Sequence, residues 1–333
     1  MSTKLLLLLL ERNTKVKHLL ECNLRLFSFL SSCKWKSLKK FRRKQGRRKR
    51  RTIIRRIPPL VPRKSVFIHQ FDVYERSGIF EDQFEEIYEH LQYSIASPRQ
   101  QLTTRTTACT LTTRVRLLLL LYWIRDNPSF WALWTIFYVS KGTISKEIRW
   151  IIPKLFCYLD EIYWSLTQTP FLWKYRGAID CASHYRWQVH SRQVNYYWGD
   201  KGRFFSTAQV ICTVWGEIIS VTLGLGHNND QGMFKLTGMR QMIQDLNMKL
   251  LADRGYSHYL LVTPDDRKST KWNHMQKGMR SIVKVTISMA ENFRVAGERF
   301  KQSPEMQEMA VLIAYQLANI NLKKYSLWLS DLK

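Results

Sequence analysis

The sequence lacks the motifs of several common enzyme classes and any long hydrophobic run. It contains no G-x-x-x-x-G-K-[ST] loop and no H-E-x-x-H pair, which excludes P-loop nucleotide hydrolases and the commonest zinc proteases. The longest apolar runs, residues 5–10 and 117–124, fall well short of the roughly 20 residues that span a bilayer. We therefore expect neither a membrane-spanning helix nor a membrane partner.

Cysteine is sparse, and its spacing carries no motif. The six cysteines are scattered along 333 residues without a C-x-x-C pair. This excludes a disulfide scaffold and a zinc knuckle, and it favours a reducing compartment.

Acidic residues are nearly missing from the first 64 positions. This segment holds 21 Lys and Arg but only Glu11 and Glu21, and the whole chain carries a net charge of +27. Such a density of like charge predicts a solvated, disordered arm that binds a polyanion. DNA or RNA is the commonest such polyanion, and DNA is the partner we favour, contacted by Arg47, Arg48, Lys49, Arg50 and Arg51. A nuclear import signal is compatible with DNA binding, whereas an anionic membrane surface or a tail without a partner are the alternatives.

Residues 65–165 are predicted to be helical. An acidic amphipathic helix over 77–91, capped by Ser77, and a linker occupy 65–100. Residues 101–165 contain three helical stretches at about 115–125, 129–137 and from 143 toward Pro153. The break at 139–142 includes Gly142, and a helix, a glycine-containing turn and a second helix are typical of a helix-turn-helix.

In a helix-turn-helix the helix that follows the turn lies in the major groove of DNA. Ile144 and Ile148 would hold this helix to the core. The residues that would then face DNA are Lys141, Thr143, Lys146 and Arg149. The alternative is a bundle of packing helices, for which the tryptophans, Trp131, Trp134 and Trp150 among them, are predicted core residues.

From about residue 175 the pattern changes to a mixed sheet flanked by helices. Residues 204–213 and 218–225 predict an antiparallel hairpin, and 234–247 predicts a helix. Short strands are predicted to end at Asp180 and Asp253 and to occupy 259–262, with helices following at about 275–293 and 306–321. Because strand ends share one edge of a sheet, Asp180 and Asp253 could bind a divalent cation together, although two unrelated turn-capping aspartates are the alternative.

Several ordered motifs carry a family resemblance. GAIDCASHYR, the segment from NYYWGDKGRFF to GHNNDQGMF, LLADRGY and GMRSIV together resemble the catalytic core of PIF/Harbinger-type DDE transposases, over residues 175–322. The resemblance implies an RNase H-like α/β fold over 175–325 and Mg²⁺ or Mn²⁺ as the cofactor. It also implies a nuclear protein whose partner is DNA at transposon ends, with a homo-oligomer as a further option. It places catalytic acids at Asp180 and Asp253 and a third metal ligand at Asp230. His184 and Arg186 are expected at the surface.

The sequence departs from the family at the third acid. The family has Glu in an R-S-x-x-E pattern, and Lys284 stands at that position. A protonated lysine cannot ligate a metal. The replacement of glutamate by lysine also opposes the binding of a second divalent cation. Glu291, seven residues on, lies about 10 Å further along a helix. The sequence therefore leaves three predictions open. The first is a DDE-type nuclease with impaired chemistry, and the second is an active nuclease that uses Asp180, Asp230 and Asp253 with one metal or an alternative acid. The third is a non-catalytic DNA-binding protein derived from a transposase.

Overall fold

A computed structural model describes residues 73–96, 111–163, 177–188, 193–199, 201–236, 238–245 and 249–330. The predicted basic arm, including Arg47 to Arg51, lies outside these residues. Most of the linker predicted near residue 101 and the domain boundary predicted near residue 165 also lie outside the described residues.

Helices make up most of the described chain. Their bounds are α1 Val73–Ser77, α2 Glu81–Ile95, α3 Thr113–Asp126, α4 Phe130–Phe137, α5 Lys141–Tyr163, α6 Asp230–Leu236, α7 Met239–Asp245, α8 Thr270–Glu291, α9 Arg294–Gly297 and α10 Pro304–Ser330. None of the helices in the described part of the chain is long and apolar enough to cross a membrane.

The three helices predicted between 115 and 153 are present as α3, α4 and α5. Ser129 caps α4 by accepting a hydrogen bond from the backbone of Ala132, as its position before an apolar run predicts. Ile144 and Ile148 are fully buried, as predicted. Pro153 does not end α5, which continues to Tyr163.

Two predictions about these helices are wrong. Ser77 is the last residue of α1 rather than a cap, and α2 begins only after Phe80. Trp131 and Trp134 of α4 and Trp150 of α5 are exposed rather than in the core, and Leu133 is the residue that α4 buries fully.

The described strands form one mixed sheet of six. Their bounds are β1 Gly177–Arg186, β2 Tyr197–Trp198, β3 Arg203–Thr213, β4 Ile218–Leu225, β5 Leu250–Leu251 and β6 Leu261–Val262. The order is β2-β3-β1-β5-β6, with β4 pairing along β3. β3 and β4 are the predicted antiparallel hairpin, and β5 runs parallel to both β1 and β6. The predicted α/β class with a mixed sheet is therefore confirmed, and it is compatible with an RNase H-like core.

Helices cover both faces of this sheet. Ile179 and Ile211 pack with Phe234, Met239 and Ile243 of α6 and α7 in a small cluster. On the other face Ala178 and Ala182 join the large core, to which α8 and α10 contribute. The alternation of side chains along β1 thus places Asp180 on the face that α8 covers.

Three details of this region differ from prediction. Asp180 is the fourth residue of the ten-residue strand β1, not its end. The helix predicted over 234–247 is two helices, because Gly238 adopts a left-handed φ of 74° between them. His184 and Arg186 are buried, at 0% and 2% exposure, rather than at the surface.

Candidate metal centre

Three aspartates converge beside the central strands of the sheet. Asp180, Asp230 and Asp253 each offer a carboxylate oxygen, and these three atoms lie within 4.8 Å of one another. Asp180 is buried at 7% exposure, and the other two are half-buried. Asp180 and Asp253, which are 73 positions apart in the sequence, are thus brought together by the fold, as the sequence predicts.

The register of two parallel strands explains how Asp180 meets Asp253. Ala178 of β1 lies level with Leu251 of β5. Two further residues along each chain bring Asp180 beside Asp253. The acidic pair is therefore a consequence of strand pairing in the centre of the sheet.

Asp230 reaches the same place from the turn that follows β4, as the first residue of α6. The Gln209 side chain of β3 donates a hydrogen bond from Nε2 to the Asp230 carbonyl oxygen at 3.3 Å and to the Tyr256 hydroxyl at 3.2 Å. The Cys181 sulfur lies 3.3 Å from the same hydroxyl. This buried network fixes the start of α6 against β1 and β3.

The absence of a side chain at Gly255 permits the close approach of two carboxylates. A Cβ atom there would lie 3.1 Å from Asp253 Oδ1 and 3.2 Å from Asp230 Oδ2. The Gly255 backbone N–H also donates to Asp253 Oδ1 at 2.8 Å, which orients that carboxylate. A side chain at position 255 would therefore crowd the two carboxylates.

The cluster holds its negative charge at a cost. Burial, and then the charge of Asp253, raise the pKa of Asp180, while the Cys181 backbone N–H and the charge of Lys284 act in the opposite direction. Burial and the charges of Asp253 and Asp180 likewise raise the pKa of Asp230. Buried carboxylates that repel one another are stabilised by a cation between them.

Basic side chains surround the aspartates. Arg280 Nη1 lies 3.8 Å from Asp253 Oδ2, and Arg280 Nε and Nη1 are buried without a hydrogen-bond partner. Lys284 lies one helical turn further along α8 and is exposed. Lys201 donates a hydrogen bond to Ser183 Oγ at 3.2 Å. Its charge partly opposes the rise in the pKa of Asp230. An acidic centre with a basic rim suits an anionic substrate that meets a bound cation.

The donor set fits a divalent cation of the Mg²⁺ or Mn²⁺ type. All three side chains offer hard oxygen ligands, which these ions prefer over nitrogen and sulfur. A cation would offset the mutual repulsion of the aspartates, and the missing side chain at Gly255 leaves space beside two of the carboxylates. The identity of the ion stays a prediction.

The remaining predicted residues lie apart from this cluster or outside the described chain. Glu291 is at the end of α8 and is not among the carboxylates that converge on Asp180. Burial raises its pKa. Lys141, Lys146 and Arg149 are exposed and Thr143 is half-buried on α5, with the pattern expected of a DNA-facing surface. Their contact with DNA stays a prediction.

Sequence reasoning did not identify Arg280, Lys201 and Gly255 as site residues with these roles. Arg280 stands in the quoted GMRSIV motif, but its contact with Asp253 depends on how α8 packs over β1 and β5. Lys201 stands in the quoted NYYWGDKGRFF motif just before β3, but the motif itself does not indicate a position beside the aspartates. Gly255 follows Asp253 at a position that the sequence pattern alone would give to a tight turn, whereas the atoms nearest to its absent side chain belong to two carboxylates.

Comparison with known proteins gives one match. No curated protein and no solved structure matches the chain. The family model described as DDE superfamily endonuclease matches residues 179–319, a segment that begins next to Asp180 and contains all three aspartates, Arg280 and Lys284.

Proposed function

We propose that this protein is a transposase-derived enzyme of the PIF/Harbinger group that acts on DNA phosphodiesters with a divalent cation. The observation that carries the proposal is the convergence of Asp180, Asp230 and Asp253 within the segment that matches the endonuclease family. The quoted motifs around these residues support the narrower group.

The residues divide the work by charge. Asp180, Asp230 and Asp253 would hold the cation, which supplies Lewis-acid activation of water or a 3′-hydroxyl in this class of chemistry. Arg280, which lies near Asp253, and Lys201, whose charge acts on Asp230, would supply positive charge to the anionic phosphodiester. The network through Gln209 and Tyr256 keeps the carboxylates in position.

Lys284 limits this chemistry. The positive charge of Lys284 acts on Asp180. The family pattern has a carboxylate at the position of Lys284. The exchange changes the local charge by two units and disfavours a second dication. We therefore propose that cleavage and joining of DNA are impaired in this chain.

Binding to DNA is proposed to rest on the basic arm and on α5. The charge of residues 1–64 favours binding to any DNA sequence and import into the nucleus. Deletion of these residues should weaken binding to all sequences and flatten its salt dependence. Exchange of Lys146 and Arg149 should instead change the preferred site.

The test is cleavage of DNA carrying the cognate terminal repeats in Mg²⁺ or Mn²⁺. The wild type should cleave slowly, Lys284→Glu should cleave faster, and Asp180→Asn should not cleave. Rapid wild-type cleavage that survives Lys284→Ala and is lost in Glu291→Ala would contradict the role given to Lys284 and make Glu291 the third acid.

A second function is a non-catalytic DNA-binding protein built on this fold. It is favoured by the lysine at the third acidic position together with the exposed basic residues of α5. Site-specific DNA binding that persists in Asp180→Asn, with no cleavage by the wild type or by Lys284→Glu, would select this function.

A further inference from the structure

Two tryptophans of α4 lie side by side on the surface. Trp131 is 56% exposed and Trp134 is 40% exposed, and their ring centroids are 4.7 Å apart with an interplanar angle of 44°. Burial of such rings would stabilise the fold, so an adjacent exposed pair is a feature typical of binding surfaces.

A lysine completes this surface. Lys141 Nζ, at the start of α5, lies 4.2 Å from the Trp131 ring centroid. Lys146 and Arg149 are exposed within the next turns, while Glu147 pairs with the buried Arg116 at 3.4 Å. The exposed charge beside the tryptophans is therefore positive, which favours a polyanion over an apolar protein partner.

The turn between the two helices contains a strained tyrosine. Tyr138 ends α4 in the left-handed conformation, with φ 52°, and its side chain is 52% exposed. Bulky residues rarely adopt this conformation. At the end of α3 the same conformation is adopted by Asn127, which is buried and donates a hydrogen bond to the Arg299 carbonyl oxygen at 3.3 Å. The strain at Tyr138, unlike that at Asn127, accompanies an exposed side chain, which is common at functional positions.

We propose that Trp131, Trp134, Tyr138 and Lys141 form an aromatic–basic face that binds unpaired bases of a DNA strand. Flat aromatic rings stack on bases of any sequence, and the neighbouring positive charges neutralise the phosphates between them. The proposal rests on the proposed function in taking DNA as the ligand. The proposal adds that the protein binds a strand with unpaired bases. Recognition of double-stranded DNA by α5 does not require such binding.

The experiment measures binding of the full-length protein to fluorescent oligonucleotides by polarisation. The probes are a short single strand and a blunt duplex of the same sequence, in EDTA so that cleavage cannot contribute. Salt at about 0.3 M reduces the share of the basic arm. The double variant Trp131→Ala/Trp134→Ala should bind the single strand about 30-fold more weakly, the low end for two lost stacking contacts. Its affinity for the duplex should change less than about 3-fold.

Two further variants keep this test independent of folding defects. Trp215→Ala removes another exposed tryptophan, 68% exposed in the β3–β4 turn, and should leave single-strand binding unchanged. Tyr138→Gly removes an aromatic ring and relieves the left-handed strain. It should weaken single-strand binding while raising the midpoint of thermal unfolding.

Three results would overturn the proposal. These are equal loss of single-strand and duplex binding in the double variant, no change in either, or a wild-type dimer that the double variant abolishes in light scattering. Failure of the proposed function can be distinguished from failure of this proposal. Asp180→Asn should retain single-strand binding in EDTA whether or not the wild type cleaves DNA.

Discussion

The candidate metal centre and the proposed aromatic–basic face carry opposite charge, and the fold holds them in different ways. The aspartates are fixed by strand pairing and a buried hydrogen-bond network, so small shifts of backbone or side chain change the site. The tryptophans project from a short helix and contact the core little. Substitutions at the first region should therefore change both metal binding and stability, whereas substitutions at the second should change binding alone.

The largest expected effect follows from Asp180→Asn. Loss of a ligand should weaken Mn²⁺ binding by about 100-fold or more, since even partners of ligands are worth 10–100-fold. The same change should raise the unfolding midpoint without metal, because burial and Asp253 raise the pKa of Asp180 and thus destabilise its charged form at neutral pH. Calorimetric titration and thermal unfolding measure the two effects.

The matched control for this change is Asp245→Asn, at an exposed aspartate of α7. It should leave Mn²⁺ affinity unchanged, and so should Trp131→Ala/Trp134→Ala. If either control variant weakened Mn²⁺ binding as much as Asp180→Asn, the two regions would not be separate in the way we describe.

A smaller effect is expected from Gly255→Ala. The added methyl group would lie 3.1 Å from Asp253 Oδ1 and 3.2 Å from Asp230 Oδ2, so at least one carboxylate must move. We expect Mn²⁺ affinity to fall about 10-fold, since ligand groups displaced from their geometry bind less well. Gly278→Ala is the control, because no atom lies within 4 Å of its new methyl group. It should retain Mn²⁺ affinity and stabilise α8 by up to about 1 kcal/mol.

The last prediction concerns the support of the sheet. His184 donates from Nδ1 to the Ala296 carbonyl oxygen at 2.9 Å and accepts at Nε2 from the Tyr315 hydroxyl at 3.2 Å. Burial lowers the pKa of His184 to about 4. The neutral ring is thus favoured in the folded protein, and its contribution is present above pH 6.5 and lost as pH falls toward 4.

His184→Gln should therefore reduce the pH dependence of the free energy of unfolding between pH 6.5 and 4, by up to about 3 kcal/mol. Chemical denaturation at several pH values measures this change. His274→Gln, at an exposed histidine of α8, should keep the wild-type dependence. An unchanged pH profile in His184→Gln would show that another group controls stability in this window.

Local patterns predicted the elements whose sequence matches their environment. The hairpin of β3 and β4 follows from its β-branched residues, and α8 from its apolar spacing, so both were placed within a few residues. The convergence of Asp180 with Asp253 followed from the idea of a shared sheet edge, although Asp180 lies inside its strand. The family resemblance added Asp230, which no strand pattern indicated.

The features that were missed depend on packing between distant segments. Trp134 has the spacing of a core residue, yet it is 40% exposed and Leu133 is the residue of α4 that is fully buried. Arg280 meets Asp253 only through the position of α8 over the sheet. Neither relation has a signal within a few residues of sequence.

The central claim is that three aspartates hold one divalent cation and that Lys284 prevents a second. Calorimetric titration with Mn²⁺ gives the number of ions bound by each chain. We predict one ion for the wild type and two for Lys284→Glu. Two ions in the wild type, or no saturable binding at all, would contradict the account.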